Sequence, residues 1–140
     1  MDAGTSRFCG VFKALPSTGL DYRPHPNFRS AGELVALLVS VEKSGGELCE
    51  TGRNSYNSDV RWHTASGSAS LEQMISAYED HHRTLAGKLV NLDDAVWNRA
   101  AWLTRGEQEI ILKDTVGGLL WVALFDAAHQ SISKTRGWSC

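Results

Sequence analysis

The chain is poor in the features that usually announce a function. It has three cysteines, Cys9, Cys49 and Cys140, odd in number and widely spaced. With no CxxC, neither a structural zinc knuckle nor a thioredoxin-type pair is supported, and free thiols in a reducing compartment are expected. No apolar run approaches the roughly 20 residues needed to span a bilayer. The longest, at residues 116–125, is about half that length. The formal net charge is −2, which gives no electrostatic reason to expect nucleic acid or an anionic membrane as a partner. The opening MDAGTSRFCG shows no basic region followed by an apolar stretch, so no signal peptide is expected. Together these features predict a cytoplasmic protein. There is no G-x-S-x-G elbow, no Gly-rich phosphate loop and no H-E-x-x-H. The five tryptophans are not interleaved with basic residues as a nucleic-acid stacking platform requires.

What is present is ordinary globular composition, 42% hydrophobic and 21% charged, over 140 residues, which suits a single domain spanning 1–140. Residues 5–14 suit a short helix with Phe8, Val11 and Phe12 on one side. The next stretch, LPSTGLDYRPHPNF, holds Pro16, Pro24 and Pro26 and excludes a regular helix. Ser30 and Glu33 form a capping-box pattern, and a helix with Leu34, Leu37, Leu38 and Val41 on one face is predicted to reach Lys43, where Gly45-Gly46 stops it. Residues 44–69 then read as a long polar linker, of a length that is usually functional or mobile, with Trp62 and His63 standing out. Ser70 caps the next helix, whose buried face is traced by Leu71, Met74, Ile75, Tyr78, His82, Leu85 and Leu89. DDAVWNRAAWL is a short segment bearing Trp97 and Trp102, and TRGEQEIILKD reads as a turn followed by a short extended piece or loop. Asp114 is placed to cap a last long helix running from Thr115 to about Ile132. Gly117 and Gly118 there cost on the order of 1 kcal/mol each against alanine and admit close approach by another backbone. Residues 119–125 are apolar all round, which predicts a central, buried position. The expected fold is an all-α bundle. Its short first helix leaves apolar surface that favours a homodimer.

Three groups of residues are candidates for chemistry. Asp126 and His129 share one face of the last helix and suit zinc, nickel or iron; they equally suit a helix leaving the core with its polar groups hydrogen-bonded. In YEDHH, Glu79 and His82 repeat the carboxylate-x-x-His spacing. With Glu33 they resemble part of a di-metal carboxylate bundle, one ligand short, because the first helix offers no acid. The alternative leaves Asp80 and His81 in solvent and His82 at the edge of the core. Third, Arg23 and Arg29 flank His25 near a helix N-terminus, where an anion would be welcome. The alternative is a rigid entry loop with Tyr22 and Phe28 packed on the bundle.

Two stretches, LDYRPHPNFRSAGELVALLVSVEKSGGEL and DTVGGLLWVALFDAAHQ, with the Y-E-x-H-H helix between them, resemble the damage-inducible DinB-like proteins over roughly residues 15–130. The most specific part is residues 21–30. The resemblance implies a four-helix bundle, often dimeric, holding a divalent metal with one histidine from the second helix and two from the last. Members include metal-dependent transferases that use small thiols, and hydrolases. Carried over, the second-helix histidine falls at Leu37, which binds no metal. In place of the family's D-x-x-H-H-R-G-Q, this chain has Asp126, Ala127, Ala128, His129, Gln130 and Ser131. Asp126 stands where other members place a ligand one turn earlier. The tail SISKTRGWSC also departs from the family, as in a drifted or shortened member. The expected function is therefore that of a DinB-like bundle with a partly lost metal site at Asp126 and His129, acting by binding or dimerising. The alternative is a metal-dependent hydrolase or thiol transferase, acting on a small molecule through a rearranged site joined by Gln130, His82 or His63.

Overall fold

Ser30 starts the principal helix, α2 (Ala31–Thr51), in the way its sequence predicts. The Glu33 backbone N–H donates to Ser30 Oγ at 3.2 Å, and the Ser30 N–H donates to Glu33 Oε2 at 2.6 Å. The loop before it adds a third partner. Arg23 donates through Nη2 to Glu33 Oε1 at 2.5 Å and through Nη1 to the Phe28 carbonyl at 2.7 Å. The Ala31 and Gly32 amides bond back to the Tyr22 and Leu20 carbonyls, so the proline-rich loop is stitched onto the first turn of α2. Glu33 is 4% exposed, and its charge is tied up on both oxygens. Glu33→Ala is expected to cost about 1–3 kcal/mol, whereas Glu33→Gln should recover the cap and lose only the ion pair. Urea denaturation of the two variants distinguishes these contributions.

The computed structural model describes residues 2–54, 70–105 and 108–122. A helix α1 (Asp2–Lys13) and a 3-10 turn (Ser17–Gly19) precede α2. After α2 come β1 (Arg53–Asn54), α3 (Leu71–Val90), α4 (Asp94–Trp97), β2 (Ala100–Arg105) and β3 (Gln108–Thr115). A further helix, α5, begins at residue 116 and is described to residue 122. The protein is thus mostly helical with a small sheet, and the expectation of helices alone is corrected. The sheet has the order β1-β2-β3, with β1 parallel to β2 and β2 antiparallel to β3. A register shift between Ala100 and Trp102 marks an irregularity in β2. The extended piece read in TRGEQEIILKD is β3. Its partner, AAWLTR, carries no alternation that separates it from a helix end. No helix among the described residues is long and apolar enough to cross a membrane.

Two further boundaries differ from expectation. α2 does not stop at Lys43. Gly45 and Gly46 are buried inside it, and a Cβ on Gly45 would meet Leu85 Cδ2 at 3.0 Å. The two glycines weaken the helix locally, but they let α3 pack close, and that packing outweighs the propensity cost. The true stop is Gly52, at φ 70°, whose N–H bonds to the Leu48 carbonyl. Arg99 Nη2 closes the same end by donating to the Cys49 carbonyl at 3.0 Å. The polar connection to α3 is therefore shorter than residues 44–69, and Trp62 and His63 lie outside the described residues. For α5, the cap is Thr115 rather than Asp114: Thr115 Oγ1 accepts the Gly118 N–H at 3.1 Å, while Asp114 Oδ1 accepts only the Thr115 N–H. The close approach expected at the glycine pair is made by side chains, with Trp97 over Gly117 and Asp114 beside Gly118. Nor is α5 buried all round: Leu120 is 2% exposed, but Trp121 and Val122 face outward.

Contacts between α2 and α3 ascend together, Glu42 with His82, Gly45 with Leu85 and Gly46 with Lys88, so the two helices run in the same direction. A 20-residue helix such as α3 is about 30 Å long. Parallel neighbours therefore require a long connection, which gives the linker a structural reason for its length. α3 opens on a second capping box, Ser70 with Gln73, and buries Leu71, Met74, Tyr78 and Leu85, as its periodicity predicts. Two apolar clusters result. One joins Cys9 and Phe12 of α1, Val35 and Ala36 of α2, and Met74 and Tyr78 of α3. The other joins Leu48 and Cys49 of α2, Leu85 of α3, Ala101 of β2, and Val116 and Leu120 of α5.

Candidate functional site

Helical spacing puts Tyr78 and His82 one turn apart on α3, facing Glu42 on α2. His82 Nδ1 lies 3.2 Å from Glu42 Oε2, and the imidazole stacks on the Tyr78 ring at 5.9 Å and 17°. The Tyr78 phenol also lies within reach of the Glu42 charge. Glu42 thus pairs with His82 of the neighbouring helix while only 12% of its own side chain is exposed. Burial, then the Glu42 charge and the Cys9 thiol, push the Tyr78 phenol well above its ordinary range. Beside this trio, Glu79 pairs with Lys13 of α1 at 3.5 Å. The Cys9 thiol is raised by burial and by its hydrogen bond to Glu79. A shallow groove of about 140 Å³ between α2 and α3 is lined by Glu42, Gly46, Glu47, His81, Thr84 and Lys88. That is small against the roughly 300–1,000 Å³ of typical small-molecule sites.

Chemically, a buried carboxylate on one ring nitrogen sets the orientation of an imidazole, the arrangement that prepares histidine for proton transfer or metal ligation. The carboxylate-x-x-His pattern of α3 does not act as a unit, because His82 turns to Glu42 and Glu79 to Lys13. Glu33 is consumed by the α2 cap and Arg23. Among the described residues no group of three His, Cys, Asp or Glu side chains is placed to hold a metal ion. Asp126 and His129, the metal ligands expected from sequence, lie outside the described residues, as do Ala127, Ala128, Gln130 and Ser131. Leu37, at the position the resemblance gives to a histidine, is buried in the apolar interior at 4% exposure.

The entry loop is held by local contacts. His25 Nδ1 accepts the Asn27 N–H at 3.2 Å, and its ring meets Phe28 edge-on. Tyr22 and Phe28 do not pack on the helices as expected, since each is more than 60% exposed. Asp80 pairs with Arg83 on the surface, and His82 sits at the core edge. Glu42 is the site residue that sequence reasoning missed. It lies one turn beyond Leu38, inside the helix predicted to reach Lys43, and nothing in its local sequence marks it as facing His82. The chain matches no protein-family model and no curated protein.

Cys9 and Cys49 are both buried, and burial is the largest cause raising each thiol above its ordinary value. Thiolate is the reactive form. With Cys140 replaced by serine, a disulfide reagent at pH 8 is expected to leave both thiols unmodified in the native protein and to label them promptly in denaturant. Rapid labelling of either in the native protein would contradict this packing.

Proposed function

We propose that this chain is a DinB-like helical protein whose metal site is partly lost, and that it acts by binding or dimerising rather than by catalysis. The observation carrying the proposal is Leu37: a buried leucine occupies the position where the resemblance calls for a histidine ligand. The four-helix bundle belongs to the same proposal, with α1, α2, α3 and the helix that begins at residue 116 as its members. The parallel run of α2 and α3 with a long connection supports it. The test is metal analysis of tag-free protein. Sub-stoichiometric, easily removed metal is the expected result, and one tightly held zinc, nickel or iron per chain would overturn the proposal.

A second reading, a metal-dependent hydrolase or thiol transferase acting on a small molecule, is favoured by one observation. Glu42 and His82 present an oxygen and a nitrogen donor 3.2 Å apart in a partly buried setting. In that reading Asp126 and His129 are ligands of a rearranged site, and His129→Ala must strip the metal. Unchanged metal content in the variant excludes it. Homodimerisation in the cytoplasm completes the proposal. It is supported by the outward-facing Val11 of α1 and by Trp121 and Val122 of α5. Light scattering showing only monomer at high concentration would remove the dimer without touching the metal question.

A further inference from the structure

We draw no further inference here: the strongest candidate, the shallow groove between α2 and α3 lined by Glu42, His81, Thr84 and Lys88, belongs to the site already described, and nothing in the structure shows what fills it.

Discussion

Tyr78→Ala is expected to lower unfolding free energy by about 3–5 kcal/mol, the range for deleting a buried aromatic side chain. The ring is 2% exposed and is shared by every helix around it. It meets Phe12 at 5.4 Å, edge to face, and Phe8 at 6.2 Å, both on α1, and it carries the His82 imidazole on its other side. Alanine would leave a cavity where α1 and α2 close on α3. It would also remove the ring on which the His82 imidazole stacks, beside the largely buried Glu42 carboxylate. Tyr78→Phe separates these effects. It keeps the packing and removes only the hydroxyl, for an expected loss well below that of Tyr78→Ala. The measurement is the urea midpoint at unchanged m-value. A loss below about 1 kcal/mol for Tyr78→Ala would show that the first apolar cluster does not depend on this ring.

Leu120→Ala is expected to cost about 2–5 kcal/mol, for a different reason. Leu120 belongs to the second cluster, where α5 packs on the C-terminal halves of α2 and α3 and on β2. Its neighbours Val116 and Ala101 are fully buried, so the site has little room to collapse around a missing side chain. Leu120 also approaches the glycine face of α2, where its Cδ2 would lie 3.6 Å from a Cβ on Gly45. The variant therefore tests whether α5 and the sheet are held by burial against the helices. Strand pairing and the exposed Arg53–Glu109 bridge across the sheet are the other contributions. That bridge lowers the Glu109 carboxyl from its ordinary value, but both groups face solvent, where such pairs contribute little. Denaturation of Leu120→Ala within 0.5 kcal/mol of the parent would assign the holding of α5 elsewhere, because surface substitutions away from special features fall within about that range.

Much of the candidate site was out of reach of sequence reasoning for a physical reason. The pairing of Glu42 with His82 needs two helices in parallel register, and register is set by packing between segments 40 residues apart. The chain pattern marked His82 as lying on a buried face, which holds. It also suggested Glu79 as its companion, because i and i+3 are neighbours on one helix. The neighbouring helices overrode that local proximity: Lys13 of α1 takes Glu79, and Glu42 of α2 takes His82.

The sequence alone determined where α2 and α3 start and which face α3 buries, whereas on α2 Val35 and Ala36 are buried with Leu37, and Leu34, Leu38 and Val41 are only half-buried. Ser30 with Glu33, and Ser70 with Gln73, satisfy helix-end amides by side chains three residues away, and the face led by Met74, Tyr78 and Leu85 follows from a period of one helical turn. These are local interactions, complete within a few residues. Tertiary structure decided where α2 ends, that residues 100–105 join β1 in a sheet with residues 108–115, and that Glu42 faces the Tyr78–His82 pair. In each case a partner distant in sequence supplies free energy that outweighs a local preference. Leu85 packs into the space left by Gly45, β1 pairs with β2, and His82 of α3 takes Glu42.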